Sequence, residues 1–377
     1  MASQQTPFRK AEKKYAKRSQ QPDLADVIGF DAQHLPDSVC RLRLTRDLQT
    51  PDALPYRLFR HTRPPAYALQ NHPGLIVIPD ALSDEAQRQL ARKCLCDCTR
   101  PPNRTNLDPF FAMPAESLFT LAHSKRMPGS EVGALCSSPA TAKQPLRIQS
   151  RVEDGSLQGD VTVPKGKLYT RSASPSELLE PLRWCTLGRQ YNWTTKEYDL
   201  GTSAFDTQLD SIMKAVASAI VLPQPEDLEK ANGLWINDYD ARGFVSQAGI
   251  INYYDERSVM AGHVDRTEEN MDAPLISLCI GLSCVYLIGG PTRDTDPTAI
   301  FLRSGDVLAM CGESRLAYHG VPRILPGSTP TCLSDPAAGD SDANAGAYPE
   351  WRHFATYLTT HRINCNARKC TSRDLEE

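Results

Sequence analysis

From residue 234 onward the chain breaks into short apolar, β-branched runs, at 244–254, 275–288, 298–303, 307–311, 318–324 and 353–364, separated by turn signals. This texture constrains the fold more than any other feature, because closely spaced strands with tight corners build an antiparallel sandwich or jelly roll. Gly281, Gly289-Gly290, Ser304-Gly305-Asp306 and Gly312 mark the corners. A Pro/Asp/Gly/Ala-rich loop over 326–349 interrupts the last pair of strands.

The first half is more varied. Phe8 to Arg18 reads as a short basic helix with Phe8, Ala11 and Tyr15 on a narrow apolar face. It suits a phosphate-contacting arm, a targeting element, or a charged helix docked on the domain. Residues 19–73 read as an extended wrap with little regular structure. His72-Pro-Gly-Leu-Ile-Val-Ile-Pro79 is a strand signal, and Ser83 caps a helix running to about Cys98. Residues 124–173 are poor in large apolar side chains and predict a disordered insertion. Ser174-Pro175 opens a short helix that Pro181 ends, and Leu209, Ile212, Met213, Val216 and Ile220 recur at helical spacing over 205–221. The expected organisation is a basic helix and wrap (1–73), a strand and helix (74–123), the insertion (124–173) and a jelly-roll domain (174–372).

Several classes are excluded. No run approaches the ~20 apolar residues that span a bilayer. The first thirty residues lack the apolar stretch of a secretory signal, so a secreted protein with disulfides among its 12 cysteines is not expected. With 42 Lys+Arg against 45 Asp+Glu the net charge is −3, and any nucleic acid must be met by a local basic face.

The chemistry concentrates in a few motifs. Gly262-His263-Val264-Asp265 holds the only His-x-Asp in the chain. At the edge of a strand, residues i and i+2 share a face, so His263 and Asp265 converge. A second strand delivers His319 after the turn at Gly312. Two imidazoles and one carboxylate make the facial triad of a non-haem Fe(II) site, although such a trio taken alone is more often a set of satisfied histidines. Arg362 and Asn364 share a strand face with Arg368, and Asn252 and Tyr254 offer further donors. An arginine fork suits the distal carboxylate of a dicarboxylic acid. Cys94-Leu-Cys96-Asp-Cys98 reads as structural, because on a helix Cys96 points away from the other two. Trp184, Tyr191 and Trp193 read either as a stacking platform for an exposed base or as core.

Taken in order, Asn252-Tyr253-Tyr254, His263-x-Asp265, Gly305-Asp306-Val307, Ser314-Arg315…His319-Gly-Val-Pro322 and Arg362-x-Asn364-x-x-x-Arg368 resemble the AlkB-type Fe(II)/2-oxoglutarate-dependent dioxygenases. Leu182-Arg-Trp184, Tyr191-Asn192-Trp193, Ala248-Gly-Ile-Ile-Asn-Tyr-Tyr254, His263-Val-Asp-Arg266 and Tyr357-Leu-Thr-Thr-His-Arg362 resemble the AlkB homologue 1 branch. The resemblance covers most of the chain except 124–173 and 326–349. It implies an α+β fold with a mainly β core, a double-stranded β-helix on which N-terminal helical and extended elements pack. It further implies Fe(II) held by His263, Asp265 and His319, with 2-oxoglutarate and O2 as co-substrates. Asn252 and Arg368 would serve the co-substrate end nearest the metal, and Tyr254, Arg362 and Asn364 its far carboxylate. Trp184, Tyr191, Trp193 and Arg266 are the candidate substrate contacts. Thr267 stands where the repair-type enzymes are acidic, so base repair is not carried over, and Cys365-Asn-Ala367 replaces a more apolar stretch before Arg368.

The reaction so implied oxidises a methyl group on a nucleobase. Methylated tRNA comes first, by N1-methyladenine demethylation or 5-methylcytosine oxidation, followed by N6-methyladenine in unpaired DNA. The alternatives are the same iron chemistry on a protein such as a histone, and a binding module that merely keeps the fold. A monomer addressed to the nucleus, the mitochondrion or both, with a cytoplasmic pool, is expected.

Overall fold

The computed structural model describes residues 5–371 apart from 20–21, 45, 109–110, 112, 125–135, 140–147, 152–156, 162–169, 193–196, 199–203, 221–238, 240–242 and 336–350. Two compact units divide the chain, Met1–Arg92 with Thr186–Glu377, and Lys93–Cys185.

The first unit contains, in order, helix α1 (Pro7–Ala16), strands β1 (Val39–Leu42), β2 (Ala66–Leu69) and β3 (His72–Ile78), and helices α2 (Asp84–Arg92) and α3 (Thr207–Ala219). Strands β4 (Ala248–Asp255), β5 (Met260–His263), β6 (Leu275–Gly281), β7 (Cys284–Ile288), β8 (Thr298–Leu302), β9 (Val307–Met310) and β10 (His319–Ile324) follow, then helix α4 (Trp351–Leu358) and strand β11 (His361–Arg368). One sheet has the order β1-β2-β3-β9-β6-β11-β4, ending on Trp184–Gly188, and the other has the order β5-β10-β7-β8. From β4 to β11 the chain therefore crosses between the two sheets, with β4, β6, β9 and β11 on one and β5, β7, β8 and β10 on the other. Antiparallel throughout, this is the jelly roll that the strand texture predicted, wound as the double-stranded β-helix that the resemblance implied. β1 and β2 add two short strands to the expected extended wrap over 19–73, because Ala66–Leu69 pairs with the strong strand β3 and carries β1 with it.

Side chains alternate across the strands, as a two-sheet core requires. Cys284, Tyr286 and Ile288 of β7 turn inward to meet Leu275, Cys279, Leu308 and Met310 of the facing sheet. Val285 and Leu287 turn outward and are covered by Phe8 and Tyr15 of α1. α1 thus docks through its apolar stripe, and a Cβ at Gly262 would run into the Phe8 ring. Thr6 caps this helix and Pro7 stands in its first turn.

One expected strand is half helix. Residues 353–364 combine the end of α4 with the start of β11, and Trp351, Phe354, Ala355 and Leu358 are buried at i, i+3, i+4 and i+7. Four apolar residues at helical spacing overrode the β-branched impression of the stretch. The other expected helices form within a few residues of their predicted bounds, with Ser83 accepting from the Ala86 amide and Asp206 from that of Leu209.

In the second unit, Pro175–Leu179 opens with a reciprocal capping box between Ser174 and Glu177, and it packs with the helix Leu118–His123, which Ser117 caps. A π-helical turn, Lys93–Asp97, holds Cys94 buried, with Cys98 buried just beyond it and Cys96 half-exposed. The expected insertion at 124–173 lies largely outside the described residues. The backbone that is described there pairs as two ribbons, Cys136–Pro139 with Thr170–Ala173 and Ile148–Arg151 with Leu157–Val161. No helix among the described residues is long and apolar enough to cross a membrane.

Candidate active site

β5 ends on His263 and β10 begins on His319, and the two are register partners across that pair. Their rings lie 4.4 Å apart between centroids. Each ring is oriented by its own strand, with His263 Nδ1 2.9 Å from the Ala261 carbonyl and His319 Nδ1 3.1 Å from that of Ala317. A carbonyl oxygen only accepts, so each Nδ1 carries the proton and each Nε2 presents its lone pair. The chain leaves β5 to place Asp265 between them, 3.9 Å from His263 Nε2 through Oδ1 and 3.9 Å from His319 Nε2 through Oδ2. One ligand atom from each of the three lies within 4.8 Å of the others. Two neutral imidazoles and one carboxylate converging from one side fit Fe(II) and leave coordination positions for other groups. Burial and the neighbouring His263 push the His319 imidazole down to about 4, so it is neutral at physiological pH.

Asp265 sits in a buried field of charge. Burial alone would raise its carboxyl, but the positive charge around it, that of Arg368 first, outweighs burial and holds the group well below the usual carboxylate range. Arg368 Nη1 lies 3.4 Å from Asp265 Oδ2 and donates to Glu268 Oε1 at 2.8 Å. Its Nη2 donates to Asn366 Oδ1 at 2.7 Å. Arg315 Nη2 meets Glu268 Oε2 at 3.3 Å, and Nη1 donates to the Asp265 carbonyl at 3.1 Å. Two guanidinium groups and two carboxylates thus neutralise one another around the backbone and side chain of Asp265.

The cavity beside this cluster runs inward between the sheets. Asn252, Tyr254, Ser277, Tyr286, Arg362 and Asn364 are among its lining residues. β4 and β11 pair Tyr254 with Arg362 and Asn252 with Asn364, so four expected polar side chains converge by register alone. Asn364 Nδ2 donates to Ser277 Oγ at 2.7 Å. Arg362 is 1% exposed. Its Nη1 donates to the carbonyls of Leu282 and Leu302, at 3.0 and 3.4 Å, and its Nη2 to Cys279 Sγ at 2.9 Å. Its buried Nε has no partner. Burial pushes the Cys279 and Cys284 thiols up, the latter to about 12, so both stay neutral beside Arg362. A buried guanidinium answered only by neutral acceptors is costly, and a dicarboxylic acid entering the cavity brings the missing anion. The residues therefore fit 2-oxoglutarate as well as they fit the metal.

Most of the expected site residues are brought together here. Arg368 is the exception in detail, since its side chain is spent on Asp265, Glu268 and Asn366 and it is not part of the cavity lining. Arg266 is exposed beside Asp265. Trp184 is half-buried in the second unit, while Trp193 and the Tyr191 side chain lie outside the described residues. Glu268 was not anticipated, because an acid in irregular chain carries no periodic sign of burial. Tyr286, stacked 5.9 Å from the His319 ring, was hidden in an apolar strand.

A model of the 2OG-Fe(II) oxygenase superfamily matches residues 139–368. The chain is 32% identical to a mouse protein named nucleic acid dioxygenase ALKBH1, over 92% of this chain and 79% of that one. It is 29% identical to the DNA N(6)-methyladenine demethylase ALKBH1A of Arabidopsis thaliana, over 97% and 96% of the two chains. It is also 29% identical to the tRNA demethylase abh1 of Schizosaccharomyces pombe, over 86% and 87%.

Proposed function

Because the chain belongs to the 2OG-Fe(II) oxygenase superfamily, in its AlkB homologue 1 branch, we propose that it oxidises methyl groups on nucleobases, with tRNA as its principal substrate. The observation that carries the chemistry is the pairing of a convergent His263, Asp265 and His319 with an unanswered Arg362 in one cavity. When bound, Fe(II) with 2-oxoglutarate supplies the activation of O2 that hydroxylates an inert methyl group. The chain's own part is to hold and exclude. His263 and His319 present Nε2 because their Nδ1 protons are tied to backbone, Arg368 keeps Asp265 ionised and aimed, and Glu268 holds Arg368 in place. Arg362, Tyr254 and Asn364 receive the far carboxylate, and Asn252 faces the nearer end. Leu275, Leu302, Leu308 and Met310 keep the cavity walls apolar and bulk water out.

On an N-methyl group the hydroxymethyl product loses formaldehyde, whereas on a C-methyl group it persists. N1-methyladenine and 5-methylcytosine in tRNA are the leading targets, since structured RNA offers unpaired bases at little cost, and N6-methyladenine in unpaired DNA is next. Relatives with nucleic-acid names support this class over a protein substrate. In this reading Arg266, exposed beside the metal ligands, meets a phosphate of the target nucleotide. A monomer at a nuclear or mitochondrial address completes the proposal. The test is anaerobic loading with Fe(II) and 2-oxoglutarate, exposure to O2 with total tRNA, and mass spectrometry of the nucleosides. Loss of N1-methyladenine or oxidation of 5-methylcytosine with succinate release is expected. Unchanged tRNA beside demethylated DNA oligonucleotides moves the substrate to DNA, and no change in either overturns the reading.

A further inference from the structure

The eight-stranded sheet ends at β1, which among the described residues has no strand on its outer side. A groove opens where β1 and β2 part, between Arg41-Leu42-Arg43-Leu44 and the Arg63-Pro64-Pro65 that leads into β2. Arg41 and Arg43 stand at i and i+2 on extended chain, so they project from one face. Both are exposed, and neither has a hydrogen-bond or ion-pair partner among the described residues. Arg63 forms the other wall and is paired with Asp47. Leu44 is buried and Leu42 half-buried beneath them, which gives the groove an apolar floor under a cationic rim. Three guanidinium groups against one carboxylate make this a locally basic face on a chain of net charge −3. The outer edge of β1 could take another strand, but the groove lies on its β2 side, where Pro64 and Pro65 offer no amide hydrogen for a strand to pair with. The arginine fork instead matches phosphate oxygens.

We propose that this groove anchors the phosphodiester backbone of the RNA substrate, far from the base being oxidised; the inference rests on the nucleic-acid reading above and deepens it. Between β1 and β11 lie β2, β3, β9 and β6, which at about 4.8 Å per strand puts the groove roughly 24 Å from the strand that carries Arg362. Only a substrate that reaches well past the target base touches both. A folded tRNA does so, and an oligonucleotide of a few residues does not. Contacts of this kind position a nucleic acid without reading its sequence, so the groove adds affinity for size and fold rather than for base identity.

The experiment compares the wild-type chain with the Arg41→Gln/Arg43→Gln double variant, which keeps length and polarity and removes two charges. Equilibrium binding of full-length tRNA is measured across a salt series, independently of turnover, and turnover of a short methylated oligonucleotide is measured separately. The expected result is tRNA binding weakened about tenfold at low salt and a log–log salt slope smaller by roughly 1.4–1.8, as two lost phosphate contacts require. Turnover of the short oligonucleotide is expected to stay at the wild-type value. Unchanged tRNA affinity and slope in the double variant overturn the groove. An equal loss on the short oligonucleotide overturns it as well, by showing a general defect. Lost binding of polyglutamate with tRNA binding intact also overturns it, in favour of an acidic protein partner. A wild-type chain that turns over neither nucleic acid counts against the proposed function instead, and the binding comparison still decides the groove.

Discussion

Arg362 and Arg368 stand six residues apart on β11, and both are almost wholly buried, yet the molecule answers them differently. Arg368 meets Glu268 at 2.8 Å and Asp265 at 3.4 Å, so its charge is cancelled within the fold. Arg362 meets two carbonyls and a neutral thiol, none of them an anion. Two buried cations on one strand thus do different work. The one matched internally holds a metal ligand in place. The one left short of an anion is a receptor whose counter-charge arrives with the co-substrate. Burial and residue type alone do not separate the two roles, whereas the list of acceptors does.

The most severe way to break the comparison is to remove the anion that Arg368 serves. Asp265→Ala should abolish turnover and weaken metal binding by more than the ~10–100-fold that loss of an outer partner costs. Metal titration of the apo protein and the oligonucleotide assay check both, and near wild-type activity would refute the triad. Glu268→Gln is milder. It leaves two guanidinium groups beside one carboxylate, and metal affinity should fall by about tenfold, within that same range for an outer partner. A Co(II) titration at unchanged melting temperature measures it, and an unaltered affinity would show that Arg368 needs no second acid.

The smallest expected effect concerns Asp306, which lies within the field of Arg362 but is not its ion pair. Its two oxygens accept from the Asp80 and Arg303 amides instead. Burial pushes this carboxyl up to about 6, against 3.8 when unfolded. The native state therefore holds a proton that the unfolded chain has released, and stability falls as pH rises from about 4 to about 6, then levels. The loss is on the order of 3 kcal/mol. Denaturant unfolding of the apo chain between pH 4.5 and 7 should show this slope, and Asp306→Asn should flatten it. An identical slope in both would mean that Asp306 is not the group responsible.

Much of this arrangement was legible in the sequence, for definite reasons. Strand register fixes which residues face one another, and spacing by two fixes which share a face. His263 with Asp265, Asn252 with Tyr254, and Arg362 with Asn364 are therefore legible from spacing alone. Glu268 and Arg315 did not declare their connection, because irregular chain and a short turn place them and no period links them to Asp265. Residues 353–358 misled in the other direction, since an aromatic and β-branched appearance hid the four apolar positions of a helix. The division of labour between Arg362 and Arg368 was the least legible, because both sit on the same face of one strand and only their partners distinguish them.

The central claim is that Arg362 is a receptor for a distal carboxylate, and calorimetric titration of the Mn(II)-loaded protein tests it most directly. The ligands are 2-oxoglutarate and 2-oxovalerate, which keeps the metal-binding end and lacks the distal acid. The wild-type chain should prefer 2-oxoglutarate by at least tenfold, the equivalent of one charged hydrogen-bond pair of about 1.5–3 kcal/mol. In Arg362→Met that preference should vanish while 2-oxovalerate binds as before. A preference that survives in Arg362→Met would contradict the account and move the receptor to another residue.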